Sequence, residues 1–228
     1  MLKRVKVGIP GFDKIIEGGL VSNSINLLSG GAGTGKTLFC LQFLLNGAKE
    51  FNEKGIYVSF EETEQDLKAD AEAVGLSFQG MDNKIKFIHI PIDNVTGFLS
   101  RLIGEVGLFE PKRVVIDSMS ALAMPMEDDF ERRKQIFKLK DALKGMNCTS
   151  ILISEIPSDS GLGSEMTGRC SRFDIEEFLC DSVIVLYYAG IGGSSDRAVR
   201  VVKMRKTNHA RGPLPMEIGK CGIKVLKG

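Results

Sequence analysis

Residues 25–37 read INLLSGGAGTGKT, a short apolar run that leads into a loop with four glycines. The run has the composition of a buried strand, and the residues after the loop have the apolar spacing of a helix. Glycines let the backbone turn so that its N–H groups point inward, and the start of a helix adds a favourable dipole for an anion. The spacing G-x-x-x-x-G-K-T in this context therefore predicts a loop that binds nucleotide phosphates.

Each part of this loop has an expected role with ATP or ADP and Mg²⁺. Lys36 is expected to reach the β- and γ-phosphates, and the Thr37 hydroxyl is expected to bind Mg²⁺. A glycine-rich turn without a ligand is the alternative, but the strand before the loop and the helix after it favour the phosphate site. The expected nucleotide-contacting residues are Gly30, Gly31, Ala32, Gly33, Thr34, Gly35, Lys36, Thr37 and Leu38.

A second apolar run ends in an acid. In RVVIDS, residues 113–118, Asp117 follows four residues of strand character. An aspartate at this point can be a helix cap or part of a turn. Next to a complete phosphate loop, it is expected to lie beside Thr37 and to orient Mg²⁺ or its water shell.

A third run, VSFEETE at residues 58–64, ends in two adjacent carboxylates. The carboxyl ends of parallel strands meet at one edge of a sheet, so Glu61 and Glu62 are expected near the γ-phosphate, where a carboxylate can polarise the attacking water. Strand alternation predicts that they point to opposite sides, so one would act and the other would support it. The alternative is an acidic first turn of a helix capped by Thr63, and both interpretations can hold together.

Composition limits the class of protein. The chain has 228 residues, 43% of them hydrophobic, enough for the core of one α/β domain spanning residues 1–228. A formal net charge of +1 points to neither a polyanion nor a membrane surface as partner. Five cysteines without metal-like spacing indicate reduced thiols, and the sequence lacks an apolar stretch long enough to cross a membrane. We therefore expect a cytoplasmic protein.

The order of the apolar runs predicts the fold class. Helical patterns such as LFCLQFLLNGAKEF and FERRKQIFKLKDALKG separate most of the candidate strands, which predicts an α/β fold with a mostly parallel sheet covered by helices on both faces. After residue 188 the alternation continues without a helical pattern, which predicts an antiparallel β extension at one edge. The candidate strands are INLLSG, GIYVSF, IKFIHI, RVVIDS, TSILIS and DSVIVLYY.

These motifs, together with GIPGFDKIIEGGL near the start, FDIEEFLCDSVIVL at 173–186 and KMRKTNHARG at 203–212, resemble the KaiC type of RecA-superfamily ATPase. The resemblance covers nearly the whole chain. It implies a RecA-like P-loop core, ATP hydrolysis, and a hexameric ring of identical subunits with ATP at the interfaces. It also implies that the paired glutamates include the residue that activates water, and we expect Glu61 to be that residue.

The resemblance further implies that KMRKTNHAR completes the site of a neighbouring subunit. Lys203 and Arg205 would meet the γ-phosphate, and Thr207 or His209 would contact the sugar and the other phosphates. Their alternating positions predict that they share one face of a strand. An edge strand with solvated basic side chains is the alternative.

Other positions carry weaker expectations. By the same resemblance, Glu177 and Phe178 stand where KaiC-type domains that act as kinases have a Ser-Thr pair, so autophosphorylation is not expected there. Ser154 and Glu155 end the fifth candidate strand and are candidates for sensing the γ-phosphate. His89 lies in a candidate strand and is expected to be structural.

Three functions remain open. The favoured one is a ring ATPase whose turnover acts on a regulatory protein or motor partner that the sequence does not identify. The second is a recombinase-like ATPase that binds single-stranded DNA through the loop at 158–168 with Arg169 and Arg172. The third is a nucleotide-dependent scaffold resembling the archaellum motor ATPase, against which Glu61 and Glu62 argue because that line tends to lack the catalytic glutamate.

Overall fold

The computed structural model describes residues 2–92, 97–123, 128–156, 170–173, 175–190 and 196–226. Within these ranges the strands are β1 (Arg4–Val5), β2 (Leu20–Val21), β3 (Ile25–Gly30), β4 (Gly55–Ser59), β5 (Ile85–His89), β6 (Arg113–Asp117), β7 (Thr149–Glu155), β8 (Ser182–Tyr188), β9 (Arg197–Met204), β10 (Leu214–Gly219) and β11 (Gly222–Val225). The helices are α1 (Phe12–Ile15), α2 (Lys36–Phe51), α3 (Glu64–Ala73), α4 (Phe98–Phe109), α5 (Met119–Ala123), α6 (Asp129–Gly145) and α7 (Glu176–Leu179).

A nine-stranded sheet in the order β11-β10-β9-β8-β3-β7-β6-β4-β5 organises the molecule, and β1 pairs with β2 in a separate small sheet. Strands β8, β3, β7, β6, β4 and β5 are parallel to one another. Strands β9, β10 and β11 extend the sheet in antiparallel fashion. The expected fold class is confirmed, including the antiparallel C-terminal extension.

Helices cover both faces of the parallel strands, which is why those strands read as continuous apolar runs. Every residue of β3 and of β4 is buried. Leu28 of β3 packs in one core with Phe39 of α2, whereas its neighbour Leu27 packs in the other core with Leu139 of α6.

The register of the central strands brings three motifs to one edge of the sheet. Gly30 at the end of β3 lies opposite Glu155 at the end of β7, and Ser59 at the end of β4 lies opposite Asp117 at the end of β6. The phosphate loop, Asp117 and the two glutamates after β4 therefore all lie at the carboxyl-end edge, where open α/β sheets bind ligands.

The prediction that Glu61 and Glu62 continue the alternation of a strand is wrong. Strand β4 ends at Ser59, and the Ser59 hydroxyl accepts hydrogen bonds from the backbone N–H groups of Glu61 (3.3 Å) and Glu62 (2.9 Å). The two carboxylates thus lie in a turn whose shape this hydroxyl stabilises. The turn leads into α3, whose N-cap is Thr63, in a reciprocal capping arrangement with Asp66.

The prediction that alternate residues of the KMRKTNHAR segment share one face of a strand is also wrong. Strand β9 ends at Met204, so only Lys203 of the four residues lies in it. Arg205 lies in a turn, and Thr207 and His209 lie in irregular structure beyond it. The turn breaks the alternation, because Lys206 has a left-handed backbone with φ of 59°.

Two further expectations concern the DNA-binding loop and membrane-spanning helices. The loop at 158–168 and Arg169 lie outside the described residues. Among the helices that the structure describes, none has the length and apolar character needed to cross a bilayer.

Candidate functional site

The glycine-rich loop has a backbone that requires glycine. Gly33 and Gly35 have φ of 70° and 97°, in the left-handed region that residues with a Cβ rarely adopt. Gly35 is the N-cap of α2, and a Cβ on it would lie 2.8 Å from Cδ1 of Ile218. The loop therefore turns tightly into the start of a 16-residue helix, which is a favourable place for an anion.

Side chains within the loop brace the same turn. The Thr34 hydroxyl donates to the Gly31 carbonyl at 3.0 Å, and the Lys36 ammonium donates to that carbonyl at 2.8 Å. A Cβ on Gly30 would lie 2.5 Å from the Leu186 carbonyl oxygen. The loop and its lysine are thus held against the ends of β3 and β8.

Asp117 lies beside the start of α2, as the sequence predicts. Its Oδ2 accepts hydrogen bonds from the Thr37 hydroxyl at 3.4 Å and from the Tyr57 hydroxyl at 2.6 Å. Burial raises the pKa of the Asp117 carboxyl to about 6, although these hydroxyls and the charge of Lys36 favour its ionised form. Burial and the nearby Asp117 raise the pKa of Tyr57 well above its usual value, so its hydroxyl keeps its proton.

The two glutamates share this environment. Desolvation raises the pKa of both, with further contributions from the negative charge of Glu155 on Glu61 and of Asp117 on Glu62. Lys36 acts on Glu61 in the opposite direction. A carboxylate with a raised pKa is a better proton acceptor near neutral pH than an ordinary one.

Ser154 and Glu155 differ although they are adjacent. The Ser154 hydroxyl is fully buried and donates to Oε1 of Glu176 at 3.1 Å, so it is directed into the protein. Glu155 lies at the strand end opposite Gly30, with a partly exposed side chain that is 3.7 Å from Nη1 of Arg172. Of the two, Glu155 is the one placed at the edge where a γ-phosphate would lie.

The oxygen atoms of this edge fit Mg²⁺. A hydroxyl, Thr37, and a carboxylate, Asp117, lie together, and Mg²⁺ prefers oxygen ligands of these kinds. The described side chains contain no cluster of three acids, histidines or cysteines suited to hold a metal alone. Such a site suits a cation that takes its other ligands from phosphate oxygens and water.

A cleft of about 440 Å³ next to the loop contains residues that the sequence did not single out. Arg197 donates to the Gly33 carbonyl at 3.4 Å and lies 4.0 Å above the Tyr188 ring. Asp70 and Ile218 line the same cleft with the side of the loop. These residues come from α3, β9 and β10, so only the folded sheet brings them to the loop.

Lys203 lies at the opposite edge of the sheet from the phosphate loop, where the parallel strands begin. In the antiparallel pair, Lys203 is opposite Val183, near the beginning of β8. Its ammonium donates to the carbonyls of Glu177 (3.0 Å) and Cys180 (2.9 Å), at the end of α7. Within its own chain, therefore, Lys203 clamps α7 against the sheet.

Arg205 is less constrained. Its side chain is 59% exposed, and its closest acidic atom is Oδ1 of Asp181 at 3.9 Å. Thr207 accepts a hydrogen bond from Arg4 at 3.1 Å, and a ring nitrogen of His209 lies 2.9 Å from the Ala210 carbonyl. The four residues of the segment thus lie in one region of the molecule without sharing a strand face.

This region is far from the phosphate loop of the same chain. The backbone N–H of Arg205 bonds to Asp181, whose own N–H bonds to Ile25, the first residue of β3. The loop begins at Gly30, and five residues of parallel strand span about 16 Å. An arginine side chain cannot bridge that distance along the sheet.

Two other expected positions have clear surroundings. His89 ends the edge strand β5 and is partly buried. Phe178 is 72% exposed on α7, next to Glu177, whose carbonyl binds Lys203. Neither Glu177 nor Phe178 has a side-chain hydroxyl that could be phosphorylated.

The central strand of the parallel sheet runs into a glycine-rich loop and a helix, and an acid ends a nearby strand. This arrangement places the chain in the class of RecA-type nucleotide-binding ATPase domains. Residues 5–228 match the family described as "ATPase: KaiC". The chain belongs to that KaiC family.

Comparisons with individual proteins agree. The circadian clock oscillator protein KaiC of Parasynechococcus marenigrum and that of Nostoc sp. are each 32% identical to this chain over 237 aligned positions that include 99% of it. The alignments cover 45% and 44% of those proteins, so the chain spans about half their length. The crystal structure of a KaiC-like protein from the hyperthermophilic archaeon Pyrococcus horikoshii matches with a TM-score of 0.87 and 38% identity over the full length of both chains.

The raised pKa of Asp117 predicts how stability depends on pH without Mg²⁺. Because the pKa rises from about 4 in the unfolded chain to about 6 in the folded one, its contribution is fully present below pH 4 and is lost as pH rises through 6. At pH 8 the free energy of unfolding of the wild type should therefore be lower by up to about 3 kcal/mol than it would be with Asp117 protonated. Asp117→Asn cannot ionise, so its free energy of unfolding relative to the wild type should increase between pH 4 and 7.

Urea denaturation of both proteins across this pH range, with EDTA present, measures the difference. Parallel pH profiles for the wild type and Asp117→Asn would contradict the assignment of a buried, ionised carboxylate at this position.

Proposed function

We propose that residues 1–228 form one ATPase domain that binds and hydrolyses Mg-ATP in a homo-oligomeric ring, with each nucleotide between two subunits. A hexamer is the ring size we expect, by resemblance to the KaiC family. The protein would work in the cytoplasm, in keeping with its five free cysteine thiols. The observation that carries the proposal is the separation of the phosphate loop and the segment from Lys203 to His209 onto opposite edges of one sheet.

One subunit would supply the phosphate and metal side of the site. The loop from Gly30 to Leu38 would bind the phosphates of ATP or ADP, and Lys36 would exchange its bond with the Gly31 carbonyl for the β- and γ-phosphates. Thr37 and Asp117 would hold Mg²⁺ or its water shell, since their oxygens already lie together. Bound Mg²⁺ would neutralise phosphate charge during transfer.

The same subunit would activate the water. Glu61 is the better candidate for the base because two residues at this edge act on its pKa: Glu155, which ends the strand beside Gly30 and raises it, and Lys36 of the phosphate loop, which lowers it. Glu62 is coupled to Asp117 and would support the metal side. The turn that Ser59 stabilises would keep both carboxylates at the edge where the γ-phosphate would lie.

The neighbouring subunit would complete the site. Arg205 is exposed and only distantly paired, so it is available to meet phosphate charge on another copy. Lys203 would act in part through its clamp on α7, which positions the turn that carries Arg205. Thr207 and His209, just beyond that turn, would contact the sugar and the other phosphates.

Turnover in such a ring would change contacts between subunits, and a regulatory or motor partner could read this change. Single-stranded DNA is the second choice of partner, because the segment at 158–172 contains no aromatic side chain on which bases could stack. Arg172 of that segment lies 3.7 Å from Glu155.

Replacement of Lys36 tests the nucleotide site. Lys36→Ala should weaken binding of a fluorescent ATP analogue with Mg²⁺ by about 30-fold or more, because loss of one partner from a desolvated charge pair costs about 2–5 kcal/mol. Lys138→Ala, which removes an exposed charge from α6, is the matched control and should bind like the wild type. Wild-type affinity in Lys36→Ala would exclude the loop as the nucleotide site.

Replacement of Arg205 tests the divided site. Arg205→Ala should bind ATP but hydrolyse it about 10³- to 10⁵-fold more slowly, the range known for arginines that stabilise transferring phosphate. The double variant Glu61→Gln, Glu62→Gln should be inactive because it lacks the base. A mixture of the two should recover activity, since some interfaces then pair an intact loop and glutamates with an intact Arg205.

Phosphate release by the mixture, with subunit exchange shown by a fluorescent label, is the measurement. A mixture that exchanges subunits and stays inactive would show that Arg205 does not complete a neighbour's site.

A further inference from the structure

Tyr57 is a buried residue whose hydroxyl reaches the metal side of the site. It lies in β4, two residues before the strand ends, and its ring is fully buried. Strand β4 pairs with β6, and the Tyr57 hydroxyl donates to Oδ2 of Asp117 at 2.6 Å. This bond is shorter than the 3.4 Å contact between Thr37 and the same oxygen, so Tyr57 is the closer of the two donors.

The packing around the ring fixes the direction of this hydroxyl. The Tyr57 ring stacks on Phe87 of β5, with centroids 5.9 Å apart and an angle of 29° between the planes. Phe87 in turn meets Phe78 edge to face at 5.4 Å. A phenol on a ring that is packed in this way cannot swing away from its acceptor without disturbing the core.

The two hydroxyls act on one oxygen of the carboxylate. Both contact Oδ2 of Asp117, and neither contacts Oδ1. A carboxylate held through one oxygen has its rotation about the Cβ–Cγ bond restricted, which leaves the other oxygen with a defined direction. Partners of this kind orient metal-binding side chains, and their loss typically reduces metal affinity by about 10- to 100-fold.

We propose that Tyr57 is a positioning residue that fixes the Asp117 carboxylate so that Oδ1 is presented to Mg²⁺ or to a water molecule of its shell. This inference rests on the proposed function, because it takes Asp117 as the metal-side acid. Tyr57 would then have a role in the metal site in addition to its packing in the core. A buried tyrosine normally needs some hydrogen-bond partner, so a structural role for this bond is the alternative that an experiment must exclude.

Tyr57→Phe separates the two roles because it keeps the ring and removes one oxygen. Binding of a fluorescent ATP analogue is measured while MgCl₂ is titrated, and again in EDTA without metal. We expect the apparent dissociation constant for Mg²⁺ to rise by about 10- to 100-fold, while nucleotide affinity in EDTA stays within about twofold of the wild type. Ser182→Ala is the control, because it removes a buried hydroxyl at the start of β8 that donates to Oδ1 of Asn26 at 2.6 Å, and its dissociation constant for Mg²⁺ should match the wild type.

The other outcomes overturn the proposal. An unchanged Mg²⁺ constant in Tyr57→Phe would show that the bond does not position the carboxylate. Equal losses of affinity with and without metal would show that Tyr57 only supports the structure. If binding to the wild type itself does not depend on Mg²⁺, the proposed metal site fails and this inference fails with it, which distinguishes that result from a failure of Tyr57 alone.

Discussion

The parallel register of β3, β7, β6 and β4 is the constraint on which the rest of the molecule depends. It sets Gly30 opposite Glu155 and Ser59 opposite Asp117, so a loop that suits phosphates and the acids that suit a metal meet at one edge. The hydrophobic effect enforces this register, because helices bury both faces of the strands and a one-residue slip would turn core side chains to the wrong layer. The chemistry of the edge thus follows from packing elsewhere.

Gathering carboxylates at that edge has an electrostatic cost. Glu61, Glu62 and Asp117 all have raised pKa values, because burial and mutual repulsion disfavour their ionised forms. Lys36 offsets part of this repulsion. In the site that we propose, a divalent cation beside Asp117 would offset a further part of this repulsion.

The sequence predicts features that depend on local pattern. The strands are continuous apolar runs, the phosphate loop has a fixed spacing, and Asp117 follows from its position at a strand end. Other features depend on where hydrogen-bond ladders stop or on distant partners. Strand alternation does not reveal that β4 ends at Ser59 or that β9 ends at Met204. Tyr57 looks like a core residue until β6 brings Asp117 to its hydroxyl, and the clamp of Lys203 joins residues 23 and 26 positions apart.

In the ring that we propose, one copy of the chain holds the nucleotide and a second copy completes the site. Phosphate release per subunit, measured across a dilution series alongside the mass of the assembly by mass photometry, tests it most directly. With a divided site, activity per subunit falls on dilution in step with dissociation of the ring and returns on concentration. Constant activity per subunit in samples that contain only monomers would contradict it.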